Sequence, residues 1–175
     1  MRGLDKLAAV DASTPAMARA LPSLPMPETV MVRLLRIGTA SLGQFFEPVF
    51  REIGLTENTF HILCLLMAAP EGRASPSELS ELVGTSRANM TRLLDDLDKT
   101  GHVQRLSLQS DGRRVIVAIT ESGRAAALQT APRLEPALRT AFADLDDAEM
   151  AQLAVLLRKA VASFDKRLPA WSLAS

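Results

Sequence analysis

The stretch GTSRANMTRLL carries two arginines, an asparagine and two threonines but no carboxylate. Arg87 and Arg92 are able to donate paired hydrogen bonds to guanine, and Asn89 is able to pair with adenine. Thr91 and Ala88 suit contact with a thymine methyl group. These residue types predict a surface that reads the base edges of a DNA duplex, and the sequence leaves open which of them reads a base.

A helix must hold these side chains. At about 100° per residue, one side of it carries four apolar residues that must face a core, namely Met90, Leu93, Leu94 and Leu97. Ala88 and Arg92 fall near the centre of the opposite side. The carboxylates of this helix lie only in its C-terminal half, at Asp95, Asp96 and Asp98. We therefore expect the helix to enter a major groove by its N-terminal half.

Another short helix is predicted immediately N-terminal to the helix that carries Arg87 and Arg92. Ser75 and Glu78 have the spacing of a capping box, Pro76 fits the first helical position, and Gly84 ends the pattern. Two short helices joined by a glycine-containing turn predict a helix-turn-helix. Helix starts favour anions, so four hydroxyl groups are candidates for phosphate contacts: Ser75, Ser77, Thr85 and Ser86.

Two β-type runs, VQRLSLQ and RVIVAIT, follow the helix-turn-helix and are separated by the turn signal SDGR. Helix, turn, helix and hairpin together predict a winged helix. Arg113 and Arg114 lie at the hairpin turn, where a wing would meet the DNA backbone or minor groove. Asp111 would repel DNA if free, and we expect it to hold one of these arginines in place.

The fold class expected is mainly α with a small β-hairpin wing, that is, a winged helix-turn-helix lobe plus a helical dimerisation region. The expected segments are an N-terminal arm (1–28), a dimerisation helix (29–56), the DNA-binding lobe (57–120), C-terminal dimerisation helices (121–168) and a tail (169–175). Apolar residues of the first long helix and the last helix exceed what one small lobe can cover, so a partner chain is expected.

Prolines shape the expectations outside the lobe. Pro15, with Pro22 and two more prolines after it, predicts that no continuous helix crosses the second half of the arm, which we expect to be partly disordered. Pro132 and Pro136 predict a break in the helix after the hairpin. Asp146 and Glu149 form a second capping box before the last helix.

Composition limits the function further. The 175 residues have a net charge of zero, so any anion-binding surface must be local. The single cysteine, Cys64, excludes an intramolecular disulfide and a thiolate zinc cage. The most apolar run is too short to span a bilayer and no signal peptide is recognisable, so a cytoplasmic location is expected. No catalytic fingerprint is present, so we expect neither an enzyme nor a metal or other cofactor.

The chain resembles the MarR family of bacterial winged-helix regulators from about Val30 to Phe164. The most specific part is SRANMTRLLDDLDKTGHVQRLSLQSDGRRVIVAIT, which is similar to the family's recognition helix, wing strands and Asp-x-Arg wing. The chain departs from the family pattern at His102, where leucine is usual, and in its shorter wing. The resemblance implies a homodimer on a pseudo-palindromic operator, with Arg113 in the minor groove and Asp111 orienting it.

The resemblance also implies a repressor that a small molecule, often an aromatic or phenolic carboxylate, releases from DNA. Candidate ligand donors on the first two helices are Arg33, Arg36, Arg51 and His61, although each is also an ordinary surface position. Some relatives instead sense oxidants through a cysteine. Cys64 offers that alternative, but its apolar neighbours and the lack of an adjacent base predict an inert thiol.

A different class of function stays open from the sequence. Winged helices also serve as protein-docking surfaces, and a net charge of zero suits a protein-interaction module without sequence-specific DNA binding. Binding to duplex DNA that falls steeply with salt distinguishes the two classes.

Overall fold

The computed structural model describes residues 2–107 and 115–166. The helices are α1 (Gly3–Ala20), α2 (Met26–Ile53), α3 (Glu57–Ala68), α4 (Pro76–Val83), α5 (Arg87–Lys99), α6 (Glu121–Ala141) and α7 (Asp147–Asp165). The strands are β1 (Arg73–Ala74), β2 (Val103–Ser107) and β3 (Val115–Ile119). The chain forms two compact units that divide after Ala137. The predicted fold class, mainly helical with a small winged lobe, is confirmed.

The sheet is antiparallel, with strand order β1-β3-β2. Strands β2 and β3 pair over their full length, from Val103 opposite Ile119 to Ser107 opposite Val115. Strand β1 adds a short edge to β3, with Arg73 opposite Ala118. The sequence predicted the hairpin, but it did not predict β1.

One apolar core holds the lobe together. Helices α3, α4 and α5 and strands β2 and β3 contribute to it, and its fully buried members include Ile62, Leu66, Leu79, Leu94 and Val117. Burying a side chain of this size stabilises the fold by about 1.5–3 kcal/mol. This core fixes the orientation of α5, on which the candidate site depends.

Helix α1 corrects the expectation of an interrupted arm. It continues through Pro15 to Ala20, and its Val10 is buried. Ser13 and Thr14, which directly precede Pro15, donate from their hydroxyl groups to the carbonyl oxygen of Val10. Helix α1 packs along α2, where Arg33 donates from Nη2 to Ser13 Oγ at 2.8 Å. Pairing with α2 holds the helix together across a proline that local sequence alone predicts to end it.

Helix α6 corrects the second proline-based expectation. It continues past both Pro132 and Pro136, so the predicted break is wrong. Both rings are on the exposed side, whereas Ala127 and Leu134 are buried on the other. An internal proline costs a helix about 3 kcal/mol, and burial of the opposite face offsets that cost.

Helix α7 begins as the sequence predicted. Asp146 Oδ1 accepts from the backbone N–H of Glu149 at 2.8 Å, and the Glu149 carboxylate accepts from the backbone N–H of Asp146 at 3.0 Å. No residue of this helix is buried, and its apolar side chains include Val155, Leu156 and Phe164, each more than half exposed. Within the described ranges, no helix is long and apolar enough to cross a membrane.

Candidate nucleic-acid interface

Helix α4 starts with the predicted capping box. Ser75 Oγ accepts from the backbone N–H of Glu78 at 3.2 Å. The Glu78 carboxylate accepts from the Ser75 backbone N–H and hydroxyl, each at 2.8 Å. The backbone bond first, and the hydroxyl bond second, lower the pKa of Glu78. The box therefore stabilises the helix above the ordinary pKa of this carboxyl, and that stabilisation is lost as the pH falls through the lowered pKa.

The turn between α4 and α5 depends on Gly84. Its φ of 71° lies in the left-handed region, which glycine adopts without a steric penalty. Its backbone N–H donates to the carbonyl oxygens of Glu81 and Ser80 and so ends α4. The chain then reverses within two residues, and Ser86 caps α5 by accepting from the backbone N–H of Asn89 at 3.2 Å. The predicted helix-turn-helix is thus present.

Helix α5 is oriented as the apolar spacing predicted. The four residues of its apolar stripe are no more than 2% exposed, namely Met90, Leu93, Leu94 and Leu97. Ala88 and Arg92 are exposed on the opposite side, and Arg87 is exposed in the first turn. Thr91 is also exposed, and its hydroxyl donates to the Arg87 carbonyl oxygen at 3.0 Å. The polar, carboxylate-free half of the helix therefore faces solvent.

A series of side-chain hydrogen bonds runs along this exposed face. Asn89 Nδ2 donates to Thr85 Oγ1 at 2.8 Å. Arg92 Nη2 donates to Asn89 Oδ1 at 3.0 Å, and Arg92 Nη1 donates to Asp96 Oδ2 at 3.4 Å. We call Thr85, Asn89, Arg92 and Asp96 the α5 polar network.

Strand β2 contributes a residue that the sequence analysis missed. Arg105 Nη2 donates to Asp95 Oδ1 and, at 3.4 Å, to the carbonyl oxygen of Thr91. The same guanidinium thereby binds both the backbone and a carboxylate of α5. Arg105 therefore connects strand β2 to helix α5. It also compensates one of the negative charges at the far end of α5. The only signal in the sequence was an arginine in a β-type run.

The hydroxyl groups suggested for phosphate contacts lie near the two helix starts. Ser77 and Ser86 are exposed, whereas Ser75 and Thr85 are half-buried. The Ser75 and Ser86 hydroxyls already cap α4 and α5. Three further residues of the prediction, Asp111, Arg113 and Arg114, lie outside the described residues, so their roles in the wing stay predictions.

The structure does not bring the four suggested ligand donors into one pocket. Arg33 lies at the contact between α1 and α2, Arg36 lies in an open hollow on α2, and His61 is exposed on α3. Arg51 lines a cavity of about 400 Å³ together with Phe50. Within that cavity Arg51 is paired with Glu47 at 2.5 Å.

A smaller cavity of about 220 Å³ was not expected from the sequence. It is lined by His102, by residues of the turn after α2, and by Gln129, Thr130 and Arg133 of α6. Thr100 Oγ1 lies 2.7 Å from His102 Nδ1. His102 therefore lies within hydrogen-bond distance of Thr100 and also lines this cavity, whose walls are both polar and apolar.

Comparisons with known proteins agree with this geometry. The model of the MarR family matches residues 53–114. The transcriptional repressor MprA of Escherichia coli K12 is 28% identical over 142 residues, which are 81% of each chain. The transcriptional repressor YetL of Bacillus subtilis is 35% identical over 91 residues, 52% of this chain and 54% of that one.

The fold also matches a solved structure. A mutant of E. coli MarR complexed with operator DNA superposes with a TM-score of 0.69, covering 82% of this chain and 96% of that chain at 24% identity. This likeness shows the fold.

A winged helix-turn-helix lobe with an exposed, carboxylate-free helix start defines a class of DNA-binding regulators. The sequence matches point to one group within this class, since the relatives MprA and YetL are transcriptional repressors. Over residues 53–114 the chain is similar to the MarR family.

Proposed function

We propose that the protein is a transcriptional repressor that binds a pseudo-palindromic operator as a homodimer and is released by a small effector. The observation that carries the proposal is the N-terminal half of α5. It is fixed by a buried apolar stripe and presents Arg87 and Arg92 to solvent without a carboxylate in its first two turns. The repressor relatives and the operator complex of E. coli MarR support it.

DNA binding would use α5 in the major groove. Ala88, Asn89, Thr91 and the two arginines supply base or backbone contacts, while Ser77 and the capped helix starts suit phosphates. The wing arginines, Arg113 and Arg114, would add minor-groove or backbone contacts. Because the whole chain has no net charge, these local groups must supply the attraction to DNA.

Dimerisation would involve α2 and α7. Along α2, Met31, Val32 and Phe45 are exposed, and none of the residues of α7 is buried. Exposed apolar faces of this extent mark protein contacts. A symmetric dimer would place two copies of α5 about one helical turn of DNA apart, roughly 34–36 Å.

The effector would be a small molecule with an aromatic ring and a carboxylate. The cavity lined by Phe50 and Arg51 supports this chemistry, since its aromatic wall suits a ring. A carboxylate on the effector would replace Glu47 as the partner of the Arg51 guanidinium. The cavity volume of about 400 Å³ lies within the usual range for small-ligand sites. An effector that favours a different spacing of the two lobes would lower the affinity for the operator.

The proposal is tested by measuring affinity for the DNA upstream of the protein's own gene between 50 and 200 mM salt. Phosphate contacts from both lobes should make affinity fall by about a hundredfold or more over this range. A duplex of the same length and composition but scrambled sequence should bind at least about a thousandfold more weakly. Absence of binding to either duplex at 50 mM salt would contradict the proposal and favour a protein-interaction module.

A further inference from the structure

The α5 polar network shows which way the Asn89 amide faces. Arginine only donates hydrogen bonds, so the amide atom that Arg92 Nη2 meets at 3.0 Å must be the oxygen. The nitrogen then faces Thr85 Oγ1 at 2.8 Å and donates to it. The orientation of the amide is thus determined by its two partners.

Each end of the Asn89 amide therefore already has one partner without DNA: one of its two N–H groups donates to Thr85, and one lone pair of its oxygen accepts from Arg92. A paired contact with adenine needs an amide N–H and the amide oxygen together. To form it, the remaining N–H and the remaining lone pair would have to reach a base while Thr85 and Arg92 hold the amide in its present orientation. Asn89 is half-buried whereas Arg92 is exposed, so Asn89 presents less surface to DNA than Arg92 does.

Arg92 has the opposite arrangement. Its side chain is 66% exposed, at the centre of the outward face of α5. Asn89 holds one terminal nitrogen and Asp96 holds the other, so the guanidinium is oriented while its remaining N–H groups stay available. A long side chain ordered in advance loses less entropy when it binds.

We propose that Arg92 reads a base pair and that Asn89 is a positioning residue, which acts on DNA through Arg92 instead of contacting a base. The inference rests on the proposed function, since it concerns how the DNA-binding helix discriminates between sequences. Guanine is the base that suits an oriented arginine fork.

The test is a double-mutant cycle read out at each base pair of the operator. Affinities of the parent, Asn89→Ala, Arg92→Ala and the double variant are measured on a set of operators in which every base pair is replaced in turn. Arg92→Ala should lose about ten- to hundredfold discrimination at one base pair. Asn89→Ala should lose discrimination at that same base pair, and the double variant should lose no more than Arg92→Ala alone.

The conservative variant Asn89→Asp separates positioning from base reading. An aspartate keeps an oxygen for Arg92 but has no N–H for adenine. Its discrimination at the Arg92 base pair should stay within about threefold of the parent, although the added charge lowers affinity for every operator. Asn58→Ala, a matched change at an exposed asparagine of α3, should alter neither affinity nor discrimination.

The outcomes distinguish this inference from the proposed function. Loss of discrimination at two different base pairs, with effects that multiply in the double variant, would make Asn89 an independent reader and overturn the inference alone. A parent protein without preference for any operator would overturn the proposed function. Equal unfolding temperatures of the four proteins exclude a folding defect as the cause.

Discussion

Partial burial controls the chemistry of Cys64, the single cysteine of the chain. The thiol lies on α3, half-buried, and desolvation raises its pKa. The thiolate is the reactive form, and a raised pKa leaves less of it at neutral pH. Cys64 is therefore a poor candidate for an oxidant sensor, in agreement with the apolar neighbours seen in the sequence.

We predict that Cys64 in the folded protein reacts with iodoacetamide at pH 7.5 about tenfold more slowly than free cysteine. The rate should rise as the pH is raised toward the thiol pKa and should reach the free-cysteine value in denaturant. Mass spectrometry measures the modified fraction over time. Rapid modification, or loss of DNA binding after mild peroxide treatment that Cys64→Ser prevents, would support the redox alternative instead.

The sequence showed which residues are candidates for DNA contact, but it did not show which side chains they bond to. Arg92 and Asn89 were recognised as candidates for DNA contact because helical spacing alone places them away from the core. Their hydrogen bond to one another depends on side-chain rotamers, which spacing does not specify. The link from Arg105 to Asp95 was missed because it joins a strand to a helix ten residues earlier.

At the scale of elements, Arg105 is the side chain that connects β2 to α5. Its guanidinium binds the Thr91 carbonyl oxygen and the Asp95 carboxylate. The two ionic side chains are 36% and 44% exposed, so the pair contributes at most about 1 kcal/mol to stability. Its larger effect should be on the relative position of the wing strand and the exposed helix.

We predict that Asp95→Ala weakens DNA binding about tenfold, because Arg105 loses the partner that holds it against α5. A purely electrostatic role predicts the opposite, since removing a negative charge from a helix that is proposed to bind DNA favours binding. The affinity is measured by fluorescence anisotropy at a fixed salt concentration. Gln104→Ala, an exposed change on the same strand, serves as the control. Tighter binding of Asp95→Ala would refute the positioning role of Arg105.

Local signals predicted helix starts well, and tertiary contacts explain the failures. The caps at Ser75 and Asp146 depend on residues three positions apart, so the sequence displays them directly. Strand β1 has two residues, and its partner Ala118 comes much later in the chain. The continuous helices at Pro15 and Pro132 likewise depend on packing that a local proline rule does not include.

At the scale of the whole molecule, exposed apolar surface on α7 requires an explanation. Leu156 is 54% exposed and lies on a helix with no buried residue. An isolated helix of this length is marginal in water, so a packed partner must supply most of its stability. The proposed homodimer provides that partner and the two-fold arrangement that a pseudo-palindromic operator needs.

We predict that the protein is a dimer at micromolar concentration and that Leu156→Glu shifts it toward the monomer by at least about tenfold in dissociation constant. Burying an unpaired carboxylate in an apolar interface is unfavourable. Sedimentation equilibrium measures the change. Leu82→Glu introduces the same charge on α4, where the parent side chain is 62% exposed, and should leave the dimer intact. Identical dissociation constants for the parent and Leu156→Glu would exclude α7 from the interface.

The sequence predicted the winged lobe because helix caps, apolar spacing and the hairpin signal all agree there. It did not predict how α1 packs on α2, since little in the α1 sequence distinguishes one face from the other. A net charge of zero predicts that any DNA-binding surface is local. Among the described residues, the exposed start of α5 carries Arg87 and Arg92, which suit such a surface.

The most direct measurement compares operator affinity for Ala88→Glu and Ala12→Glu. Both residues are exposed on helices and both changes add one negative charge, but Ala88 lies at the centre of the outward face of α5 and Ala12 lies on α1. If the N-terminal half of α5 enters the major groove, Ala88→Glu should weaken binding at least about a hundredfold, and Ala12→Glu should change it less than about twofold. Equal affinities of the two variants would contradict the assignment of α5 as the DNA-binding helix.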